Sequence, residues 1–119
     1  DDALAMMRQI GAPNLNVMID TADQNITDPN LSDAVRKAGK DLAYVHCNDN
    51  SGIGQGDVHL PPGRGSVDWR AFFRALKEVG YDGTATAQVH TGHPVDMDAW
   101  MYETRDFLAG VMRETGVRS

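Results

Sequence analysis

Apolar positions along the chain change period several times, and each change marks an element. Ala3, Leu4, Met6, Met7 and Ile10 recur at helical spacing until Gly11 and Pro13, which predicts a short opening helix. Residues 15–20 form a compact run with β-branched Val17 and Ile19, too short for a helix, and predict a strand that closes on Asp20. After Asp28-Pro29-Asn30, the residues Leu31, Ala34, Val35 and Ala38 share one face of a second helix, and Gly39 stops it. Residues 42–46 are again strand-like and apolar until His46. Residues 47–66 then carry Gly52, Gly54, Gly56, Gly63 and Gly65 with Pro61 and Pro62, a long loop of the kind that is usually functional in a compact domain. Asp68 is placed to cap a helix with the stripe Trp69, Phe72, Phe73, Leu76 and Val79, ended by Gly80. Residues 84–89 predict a third strand, and 95–112 a final helix.

This order is repeated alternation of strand and helix, which implies a parallel sheet with right-handed crossovers and an α/β fold in one unit. Composition adds boundaries. The 119 residues are 41% hydrophobic and 24% charged, which excludes wholesale disorder. The formal net charge of −6 offers no basic surface for nucleic acid or anionic lipid. No apolar run approaches the roughly 18 residues of a membrane span, and the acidic start lacks the basic and apolar regions of a signal peptide. Cys47 is the single cysteine, so no intrachain disulfide forms and a reducing, cytoplasmic location is expected.

In parallel α/β folds the chemistry gathers where strands end. Each predicted strand ends in such chemistry: Asp20, then His46, then Gln88 with His90 two residues on. Neighbouring strands lie about 4.8 Å apart, so these side chains can converge on one ion. A carboxylate, an imidazole and an amide oxygen suit Mn, Mg, Co or Zn as a divalent metal. The loop adds Asp57 and His59, which face the same way if extended, as possible further ligands, and Arg64 as a binder of phosphate or carboxylate. Each has a plainer reading. Asp at a strand end forms turns, a lone His is often a hydrogen-bonded structural group, and Arg64 reads equally as a solvated loop charge. His90 and His93 read as loop decoration as well as His90 reads as an acid–base group. The glycines at 52, 54 and 56 precede no helix and no Lys-Ser or Lys-Thr, so they form no nucleotide loop.

Four segments carry a resemblance: Ile19-Asp20-Thr21, Tyr44-Val45-His46-Cys47-Asn48-Asp49-Asn50, Pro62-Gly63-Arg64-Gly65-Ser66-Val67-Asp68-Trp69 and Gly80-Tyr81-Asp82-Gly83. In this order they resemble the xylose isomerase-like TIM-barrel superfamily of sugar phosphate isomerases and epimerases. The resemblance implies the last three strands of an eight-stranded barrel, with Asp20 and His46 as metal ligands. It implies glutamates that move a proton next to a carbonyl while the metal polarises the adjoining oxygens. The last of these glutamates falls on Gln88, and the first would precede Asp1, so the chain departs from the pattern at both catalytic carboxylates. An amide has no usable proton affinity near neutral pH, which leaves His90 as the candidate base.

A barrel of this kind needs eight strands and about 250 residues to close. The expectation is therefore the C-terminal portion of a barrel, its earlier strands supplied by the same chain or by another, including a second copy in a homo-oligomer. The leading expected function is a metal-dependent isomerase or epimerase of a small sugar or polyol. The alternatives are a non-catalytic metabolite-binding or partner subunit, which Gln88 favours, and an enzyme similar to the zinc-dependent apurinic endonucleases, which the acidic balance opposes.

Overall fold

The computed structural model describes residues 2–54, 56, 58–90 and 94–118. The predicted alternation is present: α1 (Asp2–Ile10), β1 (Val17–Asp20), α2 (Thr21–Thr27), α3 (Leu31–Ala38), β2 (Leu42–Cys47), α4 (Trp69–Glu78), β3 (Thr84–Ala87) and α5 (Met97–Thr115). A single 3-10 turn, Gly39–Asp41, joins α3 to β2. The sheet has the order β1-β2-β3 and both pairings are parallel, which gives the α/β class expected from the sequence.

Two outcomes differ from the periodicity. The first and third strands are shorter than predicted, beginning at Val17 and ending at Ala87. One helix, α2, has no counterpart in the apolar pattern. Its sequence Thr-Ala-Asp-Gln-Asn-Ile-Thr has no stripe to read, and it forms because Asp20 caps it: the carboxylate accepts from the Ala22 and Asp23 N–H groups. The same device opens α3, α4 and α5, with Asn30, Asp68 and Asp96 accepting from the N–H groups of Asp33, Ala71 and Ala99 respectively. Gly116 closes α5 at φ 69°, the left-handed conformation that glycine adopts without a Cβ penalty.

Alternation along the strands separates two faces. Ile19, Val45 and Cys47 are buried and pack with Leu31 and Val35 of α3, Phe72, Phe73 and Leu76 of α4, and Val111 of α5. Trp69, Phe72 and Phe73 are therefore core, as their helical spacing implies. The opposite face carries Met18, Tyr44, His46 and Thr86, and Met18 is 48% exposed. Among the described residues helices thus cover one side of the sheet, and the register places Asp20, His46 and Thr86 in one row. No helix among the described residues is long and apolar enough to cross a membrane.

Candidate metal and substrate site at the strand ends

Asp20 ends β1 and His46 lies one residue from the end of β2, and the parallel register pairs them directly. Their side chains meet on the face free of helices, with Asp20 Oδ2 at 3.3 Å from His46 Nδ1. The two oxygens of Asp20 are held differently. Oδ1 accepts the two N–H groups at the start of α2, and Oδ2 accepts Asn48 Nδ2 at 3.0 Å while facing His46. This tests the fit of a cation. Ligand bonds of about 2.0–2.2 Å place neighbouring donor atoms about 3–3.4 Å apart, which matches the separation seen, and carboxylate with imidazole is a donor set for borderline divalent ions.

Gln88 follows the end of β3. Its backbone N–H donates to the Cys47 carbonyl at 3.2 Å, which extends the ladder by one bond, and its side chain is exposed. By alternation it falls on the face of Thr86, His46 and Asp20. His90 is joined to the long loop rather than to β3: it forms an antiparallel bridge with His59, its N–H donates to the His59 carbonyl at 2.9 Å, and the two rings lie 4.4 Å apart. His59 is buried, with Nδ1 at 3.1 Å from Asn48 Nδ2 and Nε2 at 3.7 Å from Asp23 Oδ1. Among the described residues, Asp20, Asp23 and His59 form a group whose potential ligand atoms lie within 4.8 Å of one another. Asp57 and His93 lie outside the described residues.

Arg64 is placed away from this cluster. Its guanidinium forms a fork on Glu103 of α5, at 2.7 and 2.6 Å, and sits 5.2 Å over the Trp100 ring. The structure thus uses Arg64 to tie the loop to α5. The carboxylate it binds is thus one of the chain's own, on Glu103.

The polar residues that follow β2 stand outside the strand-end pattern. Asn48, Asp49 and Asn50 follow β2 and are buried. Asp49 accepts from the N–H groups of Asn50, Gly63 and Val67 and from Trp69 Nε1. Asn50 accepts from Asn25 Nδ2 and donates to the Ala22 carbonyl, which binds the loop to α2. Thr21 Oγ1 donates to the Asn48 carbonyl at 2.6 Å. Three consecutive side chains of this type directly after a half-buried strand are the signal for such a network, since buried backbone in a loop needs internal partners.

Cys47 points to the other face, into the core. Burial, with a smaller contribution from the Asp20 charge, pushes its thiol up to about 12 from an ordinary 9.0, so it offers neither a nucleophile nor a ligand at neutral pH.

Parallel strands with polar groups at their C-terminal ends and helices on the outer side define a portion of a (β/α) barrel with its site at the strand ends. The chain belongs to the xylose isomerase-like TIM-barrel family, whose profile matches residues 1–111. It is 32% identical over 88 residues to a D-psicose 3-epimerase of Enterocloster bolteae, a match covering 74% of this chain and 27% of that protein. It is 35% identical over 81 residues to a ketose 3-epimerase of Arthrobacter globiformis, covering 68% of this chain and 26% of the relative. A xylose isomerase domain protein from Alicyclobacillus acidocaldarius superposes with a TM-score of 0.83 at 26% identity, over 97% of this chain and 43% of the other. The chain thus spans about a quarter of the length of these two curated relatives.

Proposed function

We propose that this chain forms the strand-end portion of a divalent-metal-dependent sugar epimerase or isomerase that moves a proton at the carbon next to a carbonyl. The observation that carries it is the Asp20–His46 pair, set side by side by the parallel register with donor atoms 3.3 Å apart. Asp20 and His46 would hold the cation, with the Gln88 amide oxygen as a third donor. When bound, such a cation polarises oxygens next to the reacting carbon. Membership of the family and the likeness to ketose 3-epimerases point to a small ketose as the substrate. Further barrel strands are needed to enclose it, because three strands leave the Met18, Tyr44 and His46 face open.

The chain's own residues limit the proton chemistry. From Gly83 to Val95 there is no Asp or Glu, so the third strand supplies no carboxylate base. His90 lies three residues past the end of that strand, exposed and with its ring against His59. It is the proposed base, because an imidazole can both accept and donate a proton.

Gln88 also supports a second reading, a metabolite-binding subunit without turnover. The discriminating experiment uses the intact protein, stripped of metal and reloaded with Mn²⁺, and follows interconversion of D-fructose and D-psicose. The enzyme reading expects turnover that needs the metal and falls by about 10²–10⁴-fold in His90→Gln. Thermal stabilisation by sugar with no turnover gives the binding reading instead.

A further inference from the structure

Asn48 lies just past β2, fully buried, between the start of α2 and His59. The backbone N–H of Ala22 donates to Asn48 Oδ1 at 2.8 Å, and a backbone N–H can only donate, which fixes that end of the amide as oxygen. The other end is then the NH₂ group. It has two hydrogens and two neighbours that need them, Asp20 Oδ2 at 3.0 Å and His59 Nδ1 at 3.1 Å. An amide NH₂ has no lone pair to offer, so Nδ1 of His59 must accept, and a ring nitrogen that accepts carries no proton. In the neutral ring the proton therefore resides on Nε2, the nitrogen facing Asp23 at 3.7 Å.

We propose that Asn48 is a positioning residue, locking His59 as the Nε2–H tautomer so that the ring donates toward the Asp23 side instead of ligating a cation there. Asp20, Asp23 and His59 bring potential ligand atoms within 4.8 Å, the spacing of a metal site, but the lone pair of Nε2 is taken up by a proton. Ligation at that nitrogen would require giving up the Asn48 hydrogen bond or the neutral ring. The consequence for the proposed function, which rests on that reading, is a single cation on the Asp20–His46 side of Asn48. The tautomer itself is independent of it.

The test is nuclear magnetic resonance on the intact protein, free of metal, labelled with ¹⁵N in histidine and asparagine and held at about pH 8.5, above the ordinary imidazole range. The His59 ring, identified by the signals lost in His59→Gln, is expected to show a protonated Nε2 and an unprotonated Nδ1. A scalar coupling is expected between Asn48 Nδ2 and His59 Nδ1 across the hydrogen bond. A proton on Nδ1 overturns the proposal. In folded Asn48→Asp, where the partner becomes an acceptor, the proton is expected to move to Nδ1, and an unchanged ring removes Asn48 from the role. The unsubstituted protein decides the point even where the variant does not fold. Addition of Zn²⁺ should then shift His46 and leave the His59 Nε2–H signal in place, and loss of that signal refutes the single-cation arrangement. Unmoved His46 resonances count against the cation site alone, while the coupling to Asn48 still decides the tautomer.

Discussion

Asp20 does two jobs with two oxygens, and substitution separates them. One oxygen caps α2 and the other faces His46 and Asn48. Asp20→Asn keeps an oxygen for the Ala22 and Asp23 N–H groups, so it is expected to melt close to the unsubstituted protein while losing divalent-cation affinity in a calorimetric titration. Asp20→Ala removes both functions and should cost about 1 kcal/mol more in stability from the lost cap alone. Equal melting of the two variants would show that the cap contributes nothing. Cys47 makes a second prediction at this scale. Its thiol is held up by burial, to about 12, so a thiol reagent at neutral pH should label it only after denaturation. The sign with pH follows. The folded state favours the protonated thiol, so this contribution is complete below the ordinary value of 9.0 and is lost as pH rises above it. Labelling of the folded protein at the rate of a free thiol would contradict this.

Among the elements, the segment between β2 and α4 departs furthest from ordinary secondary structure and is fixed most heavily. Asp49 gathers four N–H donors from Asn50, Gly63, Val67 and Trp69, and an antiparallel bridge joins Asp49 to Leu60. Gly65 passes so close that an added Cβ would lie 2.1 Å from the Asn50 carbonyl oxygen, and backbone cannot swing aside as a side chain could. Gly65→Ala is therefore expected to destabilise by on the order of 3 kcal/mol, measured by chemical denaturation, and to weaken the His59–His90 bridge. A change within 0.5 kcal/mol would mean that the loop yields easily. At this scale the sequence was legible where apolar residues repeat: α3, α4 and the ends of β1 and β2 follow from Val35, Phe72, Asp20 and His46. It was not legible in α2, which is specified by one capping carboxylate, nor in Asn48 and Asp49, whose importance comes from partners up to 28 residues away in the chain. Arg64 is the same case, since no local pattern announces a partner on α5.

For the whole molecule, the sheet is finished on one side only. Helices seal Ile19, Val45 and Cys47, whereas Met18 and Tyr44 line a face with no layer over it, and β1 and β3 pair on one edge each among the described residues. The proposed closure by further strands turns that face into a barrel interior. Met18→Lys in the intact protein would then place a cation among packed side chains and should lower the melting temperature sharply. An unchanged melting temperature would leave Met18 at a solvent surface and argue against closure over this face.

The fork between Arg64 and Glu103 sets how damage spreads through the molecule. The terminal helix shares its ion pair with the segment that presents His59, so Glu103→Gln, which breaks the fork and leaves the core side chains of α5 in place, would be felt first as slackness around His59, before general unfolding. Such a variant would still give the circular-dichroism signature of a folded protein while its loop opens to hydrogen exchange.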